Sequence, residues 1–123
     1  MSKQRILVTG GAGYIGSILV PMLLGKGYEI IVLDNFMYGQ TSLLNHCLDK
    51  NIQIFRGDVR NESLLKDLVG RSDLIIHLAC IVGAPSCEKD PIAAKTVNYD
   101  SVINIIEASR TSCKPIIFPS TDS

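Results

Sequence analysis

Arg5-Ile6-Leu7-Val8-Thr9-Gly10-Gly11-Ala12-Gly13-Tyr14-Ile15-Gly16 is the stretch that decides the fold. Ile6 to Val8 is an unbroken apolar run, the pattern of a central strand covered on both faces, where alternation with period two is not expected. Gly10, Gly11, Gly13 and Gly16 follow. From Tyr14 to about residue 26, Ile15, Ile18, Leu19, Met22 and Leu23 then recur as one helical stripe. A glycine-rich loop between a strand and a helix is where a dinucleotide's pyrophosphate is held. Glycine there permits a tight turn, a close approach of backbone to phosphate and close packing of helix on strand. The helix N-terminus adds unpaired N–H groups and a partial positive charge. Gly11, Gly13 and Gly16 satisfy G-x-G-x-x-G, while Gly10, Gly13 and Gly16 satisfy G-x-x-G-x-x-G. A glycine-rich turn that merely reverses the chain competes with both. A P-loop is excluded, because Ser17-Ile18 stands where Lys followed by Ser or Thr is required.

Outward from this loop, short apolar runs alternate with helical patterns, the signature of βαβ units around a parallel sheet. Strands are expected over 5–9, 29–33 (ending on Asp34), 51–55, 73–78 and 114–118. Helices are expected over 14–26 with Pro21 inside, over 41–50, over 62–69 with Asn61 as N-cap and Gly70 as stop, and from Asp90-Pro91 to about 110. The predicted class is α/β: a Rossmann-type doubly wound parallel sheet of strand order 3-2-1-4-5, truncated after the fifth strand. In the last helix Tyr99, Val102, Ile103 and Ile106 follow helical spacing and are read as core against the sheet.

The composition agrees. A chain of 123 residues is expected to form one domain, 1–123, and 46% hydrophobic with 20% charged residues is that of an ordinary globular protein. Twelve basic residues balance twelve acidic ones without a sign-biased block, which argues against nucleic acid and anionic membranes as partners. Cys47, Cys80, Cys87 and Cys113 form no C-x-x-C pair and no zinc spacing, so no metal site is expected. Free thiols, no room for a signal peptide before Ile6 and no long apolar run together predict a cytoplasmic protein.

Asp34 ends the second strand eighteen residues after Gly16, close to the interval of about 20 at which an acidic side chain reaches the adenosine ribose hydroxyls. A carboxylate there accepts from the 2′-hydroxyl and repels a 2′-phosphate, which favours NAD over NADP. The competing reading is a solvated loop aspartate. Asp58 after the third strand falls near the adenine edge in this topology, although Gly-Asp is also a common turn.

The order Thr-Gly-Gly-Ala-Gly-Tyr-Ile-Gly, then Leu33-Asp34-Asn35, then Gly57-Asp58-Val59, then His77-Leu78-Ala79, then Asn98, resembles the extended short-chain dehydrogenase/reductase family, specifically its NAD-dependent nucleotide-sugar epimerases and dehydratases. The resemblance implies that Gly10, Gly13 and Gly16, with Tyr14 and Ile15 between them, hold the pyrophosphate. It places Asp34 and Asn35 at the adenosine ribose, Asp58 and Val59 beside adenine, and Leu78, Ala79 and Cys80 on the nicotinamide side. Asn98 supports the active-site geometry. Cys80 replaces a usual alanine and Cys87 a frequent serine, both tolerable as small residues. His77 is read as a strand-end histidine with a structural hydrogen bond, not as an acid or base.

Phe118-Pro119-Ser120-Thr121 resembles the family segment carrying a catalytic serine or threonine. Thr121 is the candidate and Ser120 the runner-up, its hydroxyl holding the substrate's reacting hydroxyl. The family's base is the tyrosine of Tyr-x-x-x-Lys, yet four residues after Tyr14, Tyr28, Tyr38 and Tyr99 stand Ile18, Val32, Ser42 and Ile103. The expectation is the NAD-binding portion of an enzyme acting on a nucleoside-diphosphate sugar, homodimeric through the long helix when whole, and inactive as this chain alone. The alternatives are a non-catalytic NAD(P)-binding regulatory module and an NADPH-dependent sugar reductase.

Overall fold

β1 (Arg5–Thr9) lies at the centre of a parallel sheet, flanked by β2 (Glu29–Asp34) and β4 (Leu74–His77). β3 (Ile52–Arg56) pairs outside β2, and β5 (Ile116–Ile117) outside β4. The order is therefore 3-2-1-4-5, as expected. The structure is a computed structural model and describes residues 4–36, 49–79, 92 and 99–118. Thr9 sits opposite Leu33 on one side and His77 on the other, so β1, β2 and β4 end level with one another at their carboxyl edge.

Both faces of the sheet are covered, which is why Ile6 to Val8 shows no alternation. On one face α1 (Tyr14–Gly25) packs Val20, with Leu19, Leu23 and Leu24, against Ile6, Val8, Ile30 and Val32. On the other, α2 (Glu62–Gly70) and α3 (Ser101–Ser112) bring Leu65, Leu68, Val69 and Ile105 onto Leu7, Ile31, Leu33 and Ile75. Asn61 caps α2 as expected, its side chain accepting from Leu64 N, whereas Gly70 is the helix's last residue and Arg71 its C-cap. Pro21 lies within α1 without ending it. Cys113, a free exposed thiol, closes α3 in the left-handed conformation.

Two expected stripes turn only partly inward. In α1, Ile15, Ile18 and Met22 are more than half exposed, and the buried side is Gly16 and Val20. The helix is apolar nearly all round, so periodicity leaves its orientation open. Gly16 settles it, because only a residue without a side chain can sit against the Gly11 backbone. Tyr99, just before α3, and Ile103 and Ile106 within it are exposed, while Ser101, Ile105 and Ser109 are buried. The two serines let the helix approach the sheet closely, their hydroxyls engaged with His77 and with Ile106 O. Residues 41–48 of the expected second helix and the expected helix start at Asp90-Pro91 lie outside the described residues. Among the described residues no helix is long and apolar enough to cross a membrane.

Candidate functional site

The loop from Gly10 to Gly13 occupies the carboxyl edge of β1. Gly10, at φ +71°, turns the chain in a conformation that side chains rarely adopt, and its N–H donates to Leu33 O at 2.7 Å. Gly13 N–H donates to Gly10 O at 3.1 Å, and Ser17 N–H to Gly13 O at 2.8 Å, which leads directly into α1.

What each glycine leaves room for differs. A Cβ on Gly10 would lie 2.7–2.9 Å from the backbone of Leu78 and Ala79, one on Gly11 2.8 Å from the Val32 side chain, and one on Gly16 would be driven into the Gly11 backbone. The protein's own packing demands glycine at all of these. Gly13 is the exception: its backbone is extended at φ −77°, and a Cβ there would meet only Gly10 O, at 3.3 Å. Nothing in the fold requires glycine at this position. It is the N-cap of α1, which has no side-chain cap and no acidic residue in its first turn. That open, uncapped helix end, with its partial positive charge and bare backbone, fits a phosphate group.

Asp34 is buried, so it is not a solvated loop residue. Its Oδ2 accepts from Ala12 N at 3.0 Å and its Oδ1 from Phe36 N at 2.8 Å. The carboxylate thus braces the glycine loop from the end of β2, and it holds Phe36 in the left-handed conformation at φ 54°. Asn35 beside it is exposed. Asp58 forms a turn, its C=O accepting from Asn61 N, and Arg60 donates to both of its carboxylate oxygens. These bonds from Arg60 hold the Asp58 carboxyl below its usual pKa, against a smaller opposing effect of burial. The Val59 side chain belongs to the core under α2. Tyr14 and Ile15 are exposed, and Leu78 and Ala79 are half-buried where the chain leaves β4.

Gly10, Gly13, Asp34 and Ala79 thereby lie at the carboxyl ends of β1, β2 and β4, with Tyr14, Ile15 and Gly16 in the first turn of α1. Cys80, Asn98, Ser120 and Thr121 lie outside the described residues. His77 makes the structural hydrogen bonds expected of it, but sequence reasoning missed its partners Thr9 and Ser101 and the loop brace by Asp34, which depend on residues far apart in the chain. Among the described residues no cluster of His, Cys, Asp or Glu is arranged to hold a metal.

The model of the NAD dependent epimerase/dehydratase family matches residues 6–123. The chain belongs to this family. Among relatives of this epimerase/dehydratase chain, a UDP-N-acetyl-alpha-D-glucosaminuronate decarboxylase of Bacillus cytotoxicus is 35% identical, over 97% of the chain and 37% of its own length. A UDP-glucose 4-epimerase of Lacticaseibacillus casei is 34% identical, over 96% of the chain and 35% of its own length. The UDP-glucose 4-epimerase of Thermus thermophilus, solved in complex with NAD, superposes with TM-score 0.82 at 33% identity, over 96% of the chain and 38% of the solved one. The epimerase/dehydratase chain therefore spans little more than a third of the length of the curated relatives it matches.

Proposed function

We propose that residues 1–123 form a single NAD-binding Rossmann domain, the cofactor-holding portion of a nucleotide-sugar epimerase or dehydratase. The observation that carries this is Gly13, a glycine that the fold does not need, placed at an uncapped helix N-terminus within a family defined by NAD dependence. In this reading Gly10, Gly13 and Gly16, with Tyr14 and Ile15, receive the pyrophosphate on backbone N–H groups. Asp34 and Asn35 receive the adenosine ribose, Asp58 and Val59 border adenine, and Leu78, Ala79 and Cys80 line the nicotinamide side. When bound, NAD supplies a reversible acceptor for hydride from a ring carbon of a nucleoside-diphosphate sugar. Thr121 orients the reacting sugar hydroxyl by hydrogen bonding, with Asn98 supporting that geometry. The burial of Asp34 supports selection against NADP, because a 2′-phosphate would meet a carboxylate with little solvent to screen it.

The absence of any Tyr-x-x-x-Lys pair from these residues supports a chain that turns over no sugar by itself. The whole enzyme is an isomerase or lyase of the cytoplasm, and the exposed stripe of Tyr99, Ile103 and Ile106, running from just before α3 into it, supports homodimerisation through that helix.

The test is Gly13→Ser with calorimetric titration of NAD. Serine is a favourable N-cap, so the variant folds at least as well as the parent. Its side chain occupies the phosphate position, and NAD affinity falls by about tenfold or more. Equal affinity in parent and variant, or no NAD binding by the parent, defeats the reading.

A further inference from the structure

We infer that Thr9, His77 and Ser101 form a positioning chain that fixes the crevice between the ends of β1 and β4, and with it the Gly10 and Leu78–Ala79 backbone on which NAD rests. The inference rests on the NAD-binding reading above.

Thr9 and His77 are the last residues of β1 and β4 and face each other in register. In this strand order the two strands send their chains to opposite faces of the sheet at that point, which opens the crevice where ligands bind. Thr9 Oγ1 lies 2.6 Å from His77 Nδ1, and His77 Nε2 lies 3.3 Å from Ser101 Oγ. The ring is buried and meets the Phe118 ring edge-on, with centroids 5.8 Å apart.

Thr9 Oγ1 also accepts from Leu78 N at 3.2 Å and from Ala79 N at 3.3 Å. With its lone pairs turned to these backbone donors, the hydroxyl gives its own proton to Nδ1. The imidazole then carries its proton on Nε2 and donates it to Ser101 Oγ. The chain then runs in one direction from Ala79 N–H through Thr9 and His77 to α3. An apolar side chain of similar volume would fill the space of His77 but offer no acceptor to Thr9. The Thr9 oxygen would then be free to turn, releasing Ala79 N. Gly10 leaves little slack for such a movement, because even a Cβ there would lie 2.7–2.9 Å from the Leu78–Ala79 backbone. His77 touches no reacting atom in this scheme; it acts through Thr9.

The full chain tests this with two readouts. Amide hydrogen exchange without nucleotide compares Ala79 with Ile76 and Val32 inside the sheet. Calorimetry measures NAD affinity, corrected for the folded fraction. In Thr9→Val and His77→Leu, exchange at Ala79 rises about tenfold beyond any rise at Ile76 and Val32, and NAD binds about tenfold more weakly. His77→Asn places an amide oxygen where Nδ1 accepts and restores both readouts to within about threefold of the parent. The Thr9→Val/His77→Leu double variant is no worse than the worse single one. Thr9→Val keeps the side chain's shape and stays informative if His77→Leu does not fold. A uniform rise in exchange, or unchanged NAD affinity in Thr9→Val beside a loss of stability, overturns the inference and leaves an ordinary buried contact. If the parent binds no NAD, the cofactor reading falls, while exchange at Ala79 still decides the positioning chain.

Discussion

α1 and α2 cover opposite faces of one sheet and are finished in opposite ways. At the start of α2, Asn61 accepts from Leu64 N and Glu62 lies in the positive first turn. At its end Lys114 Nζ reaches the carbonyls of Val69 and Gly70 at 2.8 and 3.0 Å, and Arg71 pairs with Asp67. α1 has a glycine as its N-cap, carries no acid in its first turn, and exposes Ile15, Ile18 and Met22. The N-terminal devices that satisfy α2 locally are missing from α1, whose start follows the glycine loop. The contrast separates a helix whose start is capped by its own side chain from one whose start carries no cap.

The sharpest way to break that contrast is to make the same substitution in both helices. Gly16→Ala puts a methyl group into the Gly11 backbone, which cannot yield without pulling α1 from the sheet, and is expected to cost at least about 3 kcal/mol. Gly70→Ala meets nothing within 4 Å. It should gain up to about 1 kcal/mol by restricting the unfolded chain. Urea unfolding of both variants measures this, and a Gly16→Ala variant no less stable than the parent would show that this glycine of α1 is not committed to close packing.

This pair also marks where the sequence stops being informative. The strand order is legible because the apolar runs and glycine breaks alternate with βαβ regularity, and Asp34 is legible from its interval after Gly16. Gly10, Gly13 and Gly16 look alike as letters, and only the neighbours of each absent Cβ separate packing glycines from Gly13. Periodicity misplaces the inward sides of α1 and α3 because apolar residues outnumber the places the sheet can cover. The deciding residues are instead small ones: Gly16, Ser101 and Ser109. The Thr9–His77–Ser101 contact joins residues 68 and 24 positions apart, beyond the reach of any periodicity.

A second test distinguishes the two faces by acid. His77 bonds α3, and burial pushes its pKa down from 6.5 to about 4. Between those values the unfolded chain binds the proton first, so stability falls as pH falls through this window. The loss is about 2 kcal/mol by pH 5 and about 3 kcal/mol once pH is below 4. Asp58, with its lowered pKa, adds its own loss only below about 3.8, its ordinary value. Urea midpoints at pH 7 and pH 5 should therefore differ in the parent and converge in His77→Asn. An unchanged slope in that variant would assign the acid sensitivity to another group.

The smallest effects lie at the two N-caps, where the same physics predicts opposite signs. Asn61→Ala removes the acceptor for Leu64 N and is expected to cost about 1 kcal/mol, with fraying confined to the first turn of α2. Gly13→Ser adds an acceptor at the equivalent position of α1, where none exists, and should gain a few tenths of a kcal/mol. A gain there would mean that glycine at this position is held against the interest of helix stability. A loss comparable to that of Asn61→Ala would instead mean that the loop conformation itself requires glycine at 13, through the 3.3 Å approach to Gly10 O, and the difference between the two helix starts would then be one of packing alone.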